Sequence, residues 1–398
     1  MAVIRGNNLN NTMRGTTAND VLWGLNGADT FYWRNGMGND TIHGGDIADK
    51  YDANPYTPGN PGGDRLVLQG TLGAKITFST TENGIVHLGN NNLTFTGIER
   101  FFGTMGNDVI RAGGATLNSA HGTTPQHGLT IFSRGGHDNI IASRFDDIID
   151  GGAGNDTINA GAGNDFIHSS TGNDLIYGGV GDENIRWGTG NNTHNPGHDT
   201  IYGGAGNDLI NIWIKDGDIS RQNEAAGIRG VSVTIDRIGA ANNFHGHAAT
   251  NIGGKASLEF YGFELGWTHA GNDTVSAANT VVGANKAGFN FNTRWGHDVL
   301  VGSRGNDTLV ADEGKDTVTG GAGNDQLWIG EGEQGDGDRD VLIFRKGDGH
   351  DTVFGFDTGL DVLNLGGRTY TARETADGTL LNFGGGDTVL LSDVFDFI

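Results

Sequence analysis

The sequence predicts an all-β chain, a parallel β-roll or β-solenoid, with two lengthened or inserted β segments and a C-terminal β cap. Three observations carry this. Of 398 residues, 72 are glycine, without the Gly-X-Y periodicity of collagen. An acid followed two places later by an apolar residue recurs, over long runs, every nine residues. The five prolines (Pro55, Pro58, Pro61, Pro125 and Pro196) stay out of these beats. Proline cannot donate to a ladder, so its exclusion suits central, stacked strands.

The acids in step are Asp138, Asp147, Asp156, Asp165, Asp174 and Glu183, then Asp298, Asp307, Asp316 and Asp325. Looser copies place Asp20, Asp29, Asp40, Asp108, Asp199, Asp208, Asp273 and Asp351. Two positions after each stands an apolar residue, as in Ile158, Ile167 and Ile176. The unit reads as a six-residue glycine-rich turn and a three-residue strand whose middle side chain points inward. Two units make one eighteen-residue coil. Asp138, Asp156 and Asp174 then stack on one edge, and Asp147, Asp165 and Glu183 on the other.

Neighbouring strands lie about 4.8 Å apart. Two carboxylates at that separation repel by about 0.9 kcal/mol in water and roughly 3–4 kcal/mol at an effective dielectric near 20. A cation between stacked turns converts the repulsion to attraction and ties down loop backbone. The donors are hard oxygens, with no cysteine in the chain, which selects calcium over zinc or copper and suits it better than magnesium. With two acids to each ion, the acids imply roughly six to ten calcium ions.

Composition agrees. Hydrophobic residues are only 35%, so one thick core is not expected. The formal charge of −23 argues against nucleic acid and an anionic membrane surface as partners. Without cysteine there is no disulfide framework, and no apolar run approaches a transmembrane span. The beginning, "MAVIRGNNLNNTMRG", lacks the apolar region of a conventional signal peptide.

"GGAGNDTIN" at 151–159, "GGAGNDLIN" at 203–211 and "GGAGNDQLW" at 320–328 match Gly-Gly-x-Gly-x-Asp-x-U-x in full. "AGAGNDFIH" and "NGMGNDTIH" are near matches. On these motifs the chain resembles the RTX, or haemolysin-type, calcium-binding repeat family. The resemblance implies a parallel β-roll that folds on binding calcium and is exported from a Gram-negative bacterium by a type I secretion channel. Carried onto this sequence, the metal-binding set comprises the eighteen acids above and the turn glycines Gly151, Gly152, Gly154, Gly161, Gly163, Gly203, Gly204, Gly206, Gly320, Gly321 and Gly323. "GGVGDENIR" departs by offering Glu183 after Asp182, and the glycines around Asp29 are displaced. His198, His297 and His350 fill the variable slot before the acid and read as outward substituents.

Along the chain, residues 1–52 read as degenerate repeats, 53–102 as a first β insert or lengthened coils, and 103–211 as the main repeat block. Residues 212–267 read as a second insert, 268–357 as a second repeat block, and 358–398 as a cap with a secretion signal. "FTGIERFFGTMGND" and "FYGFELGWTHAGND" close the two inserts alike, which favours lengthened coils of one solenoid over separate domains. "GTLLNF" and "DTVLL" read as a terminal hairpin, and the final Asp-Phe-Ile is similar to type I secretion signals.

No catalytic constellation emerges. His-Glu-x-x-His and Gly-x-Ser-x-Gly are absent. "DGDRDV" (Asp336, Asp338, Asp340) begins like an EF-hand but has Val341 where that loop needs glycine, so it reads as an acidic turn. His245 and His247 read as a solvent loop rather than a transition-metal site. The expectation is a secreted, extracellular or surface-associated calcium-binding protein with a structural or adhesive role in a matrix, surface layer or biofilm. Its expected partners are calcium, the secretion machinery and an extracellular polysaccharide or cell surface. The alternative is a calcium-dependent polysaccharide lyase or epimerase, drawing on Lys215, Arg221, Arg229 and Arg237.

Overall fold

A computed structural model describes residues 1–45, 63–117, 127–188, 195–214, 229–239, 242–250, 255–283, 286–330, 332, 335–395 and 397. Pro55, Pro58, Pro61, Pro125, Lys215 and Arg221 lie outside the described residues, as do the boundary expected at 52/53 and the terminal Asp396 and Ile398. The chain divides into two compact units: Met1–Ile185 with Asp199–Gly206, and Arg186–His198 with Asn207–Ile398. Among the described residues every regular element is a strand, and most pairs are parallel, which makes the fold a parallel β-roll.

In the first unit the chain alternates between two sheets. Asn139–Ile141, Thr157–Ala162 and Leu175–Val180 lie in one; Asp146–Asp150 and Phe166–His168 lie in the other. Alternation places one side chain of each short strand inside. The register therefore stacks like on like: Ile110, Ile140, Ile158, Ile176 and Ile201 in the first sheet, and Met13, Phe31, Leu66, Phe101, Ile131, Ile149 and Ile167 in the second. The isoleucines of these rows are fully buried, and they form a core one side chain deep from each sheet.

The first sheet also contains an antiparallel excursion, Lys75–Phe78, Gly84–Leu88 and Asn91–Thr96, joined to parallel neighbours on both sides. Here aromatics join the aliphatics Ile76, Val86, Leu88 and Leu93 in the core. Phe78, Phe95 and Phe101 meet edge-on or tilted, with centroids 5.4–6.2 Å apart.

The second unit repeats the design. Val233, Val275, Leu300, Val318, Leu342 and Leu363 align in one sheet, and Phe291, Leu309, Leu327, Val353 and Leu391 in the other. Its antiparallel excursion, Arg229–Ile238, Phe244–Thr250 and Ala256–Phe263, is again filled by aromatics: Phe244, Phe260, Phe263, Phe289 and Phe291. His245 and His247 stand on the central strand of this trio and not in a loop, because Phe244, Gly246 and Ala248 alternate with them into the core. Gly378–Gly384 and Asp387–Ser392 form an antiparallel hairpin, extended by Thr371–Thr375 and paired in parallel with His350–Phe354.

Candidate metal centre

The acids stack in columns at the turns. In the first unit the amide of Asp108 donates to Asp138 Oδ1, Asp138 to Asp156, Asp156 to Asp174, and Asp174 to Asp199, all at 2.7–2.8 Å. On the other edge Asp147 donates to Asp165 at 2.8 Å. Glu183 is buried immediately before the strand Asn184–Trp187, and the Asn184 amide donates to the Asp165 carbonyl. Asp20 donates to Asp40, and Asp29 to Asp64. In the second unit the column Asp273, Asp298, Asp316 and Asp340 runs on to Asp361, and a second column links Asp307, Asp325 and Asp351. Asp208 donates to Glu264 Oε2 at 2.8 Å.

Five members of these columns were not read from the sequence: Asp64, Glu99, Glu264, Asp340 and Asp361. Asp64 donates to Glu99 Oε2 in the first unit. Their signal was present, since four of the five precede an apolar residue by two places (Leu66, Phe101, Leu342 and Leu363). What hid them was the variable coil length. "DGDRDV" resolves accordingly: Asp340 is a column member, while Asp336 accepts the amides of Gly314 and Asp338.

A second, outer ladder also went unread. At several coils the residue just before the acid accepts the corresponding amide of the next coil: Asn155 Oδ1 from Asn173, Asn164 from Asp182, and Asn306 from Asn324, at 2.9–3.0 Å. His137 and His297 do the same through Nδ1, from Asn155 and Lys315. Asn and His share an acceptor at the right reach, which explains why they alternate in that slot.

Each column acid spends one oxygen on the neighbouring amide. The other oxygen, Oδ2, of Asp156, Asp165, Asp174, Asp316, Asp325 and Asp340 is buried without a hydrogen-bond partner. Burial pushes the carboxyls of Asp156, Asp165, Asp174, Asp325 and Asp340 up to about 8, with adjacent column acids adding to it. Asp316 is raised further, by burial and by Asp298 and Asp340. To be ionised near neutral pH, such buried carboxyls need a counter-cation.

The turn backbone would supply the other donors. Gly154 has φ +131°, and a Cβ there would overlap the carbonyl oxygen of Gly136, one coil earlier. A Cβ at Gly151 would come within 2.9 Å of Asp156 Oδ2. Gly152, Gly161, Gly163, Gly204, Gly206, Gly321 and Gly323 also have positive φ and pack on carbonyls of the preceding turn, and Gly320 packs against the Asp325 carboxylate. Gly203 lies on the strand His198–Ala205. Among the described residues no three His, Asp or Glu side chains converge, so a cation would take its remaining ligands from carbonyls. Paired carboxylates, close-packed carbonyls and no sulfur fit calcium.

Not every column acid has an oxygen to spare. At Asp147, Ser143 donates its amide to Oδ2 at 2.7 Å and its hydroxyl to Oδ1 at 2.8 Å. Thr104 caps Asp108 and Ser303 caps Asp307 in the same way, and Thr16 caps Asp20 through Oδ2. Each capped acid is the first of its column: the aligned residue on the preceding coil is Leu129, Ala74, Phe289 or Ala2. Beside Asp108 the Arg134 guanidinium donates to the carbonyls of Leu68 and Gly103 and helps lower the Asp108 carboxyl against the burial that raises it. At Asp40, Trp33 Nε1 donates to Oδ2 at 3.0 Å.

These are calcium-type turns on a parallel β-roll. Six segments match the RTX calcium-binding nonapeptide repeat: residues 5–33, 93–116, 132–167, 160–193, 195–211 and 293–327. Those segments carry RTX-type calcium-binding repeats. No curated protein matches it. Among solved structures, the crystal structure of the extracellular lipase LipA from Serratia marcescens is similar over 73% of this chain, at 15% identity and a TM-score of 0.20. This chain spans 43% of that protein's length. Among the described residues no helix is long and apolar enough to cross a membrane.

Proposed function

We propose that the protein is a secreted scaffold that folds on meeting extracellular calcium and serves a structural or adhesive role in a matrix, surface layer or biofilm. The observation that supports it is the buried, partnerless carboxylate oxygen repeated along the columns of both units. A fold that depends on such sites forms where calcium is abundant, and extracellular modules bind it at about 10⁻⁴–10⁻³ M. Export of the unfolded chain by a type I channel of a Gram-negative bacterium, with the signal in the 358–398 tail, belongs to the same reading.

The ions belong between the uncapped acids, roughly six to ten in all. Adhesion is tested by incubating calcium-loaded and chelated protein with intact Gram-negative cells and their isolated envelope polysaccharide. The expected result is retention only with calcium. No retention in either state overturns the adhesive role, and release of unsaturated uronates from alginate or pectate replaces it with a lyase.

A further inference from the structure

The outer face of the second unit's antiparallel trio carries a built polar cup. Where Arg229–Ile238 pairs with Phe244–Thr250, the register shifts between Ile235 and Arg237. The bulge leaves two successive side chains, Asp236 and Arg237, on the exposed face. On the other side of the central strand the register shifts again, between Phe244 and His245, where Gly262 is the extra residue at φ +73°. Two bulges thus flank one histidine, and bulges re-aim side chains and bend a sheet locally. The result is a cup of about 380 Å³ lined by Asp236, Arg237, His245, His247, Glu259 and Tyr261.

Its polar groups are oriented by one another. The Gly262 amide donates to His245 Nδ1 at 3.2 Å, so neutral His245 carries its proton on Nε2 and offers a donor. Burial and Arg237 both lower the pKa of His245, keeping it neutral. His247 Nδ1 lies 3.1 Å from Asp236 Oδ2, so in the neutral ring Nδ1 carries the proton and Nε2 is an acceptor. Tyr261 donates its hydroxyl to Glu259 at 3.1 Å, and its ring packs 5.7 Å from that of His245.

Donor and acceptor therefore alternate beside an aromatic ring, on a sheet that holds them still. A metal ion does not suit this arrangement. A metal-bound histidine donates its second N–H, whereas His245 accepts at that nitrogen. An anion does not suit it either, since two carboxylates face one guanidinium. We propose that the cup binds a neutral sugar ring of a glycan, with His245, His247, Arg237 and Glu259 meeting its hydroxyls and Tyr261 its apolar face. This deepens the adhesive reading and rests on it, because it names the surface chemistry the scaffold would hold.

The test titrates the full calcium-loaded chain with hexaoses of glucose, galactose and mannose, and with oligogalacturonate, by calorimetry. At least one neutral hexaose is expected to bind with a Kd below about 10 mM. Glu259→Gln and His247→Ala should each weaken it by about tenfold, with the calcium-folding transition unchanged. No neutral binding at that concentration, tighter binding of the uronate, or equal affinity in both variants overturns the cup. If hexaoses bind but calcium-loaded protein ignores cells, the cup stands and the adhesive role falls. If cells are bound and no hexaose is, the cup falls alone.

Discussion

The hydroxyl-capped turns that begin four of the columns and the turns within a column solve one problem in two ways. Asp147 opens its column, and Leu129 stands where a second carboxylate would. Ser143 closes the turn by capping both oxygens from four residues upstream. Asp156 lies within a column, between Asp138 and Asp174, and its upstream position is Gly152, at φ +82°, which carries no hydroxyl. Its Oδ2 is left buried and bare. A cation shared by two coils needs an acid on each, so the first coils of Asp20, Asp108, Asp147 and Asp307 use a hydroxyl instead, whereas Asp273, which heads its column after Val231, keeps Oδ2 buried without a partner. The capped turns are complete without metal and the inner turns are not.

Substitutions should separate the two kinds. The largest loss is expected for Asp156→Ala, which removes a carboxylate facing both neighbours and the acceptor of the Asp138 amide. In calcium it should cost on the order of 3 kcal/mol, read as a lower melting temperature and a higher calcium midpoint. Gly154→Ala should follow at about 2 kcal/mol, because L-residues disfavour that backbone and the new Cβ meets the Gly136 carbonyl.

Ser143→Ala or Ser303→Ala should cost about 1 kcal/mol and leave the calcium midpoint nearly unmoved. A large shift of that midpoint would erase the distinction between capped and inner turns.

The smallest effect is that of pH on the chelated protein. The inner carboxyls titrate near 8 in the metal-free fold, above their ordinary 3.8. The folded state therefore holds more protons than the unfolded one. That contribution is complete below about pH 4 and is lost as pH rises through about 8. Residual structure in chelator should thus be greater at pH 5 than at pH 9, by circular dichroism. With calcium the order should reverse, since the ion needs the ionised carboxylate.

Much of this was legible in the sequence because the ladder depends on register. Acid-x-apolar pairs such as Asp165 with Ile167 gave the columns, and the eighteen-residue offset gave their partners. Asp64, Glu99 and Asp361 escaped because stacking ignores how much chain loops out between coils, whereas a period counts it. The cap was also written in plain sight: Thr16, Thr104, Ser143 and Ser303 replace a turn glycine four places before the acid. Its meaning needed the coil before it, where the carboxylate is missing. The cup at His245 was illegible for another reason, since bulges leave no periodic trace and a strand with histidines on its outer face resembles a polar loop.

Hydrogen exchange followed residue by residue, in calcium and in chelator, tests the central claim most directly. The amides of Asp138, Asp156 and Asp298, which donate to inner carboxylates, should be protected in calcium and exchange freely in chelator. The Ser143 and Ser303 amides, held by caps within their own turns, should keep measurably more protection. Equal protection of the inner amides in both conditions would contradict a fold held together by calcium.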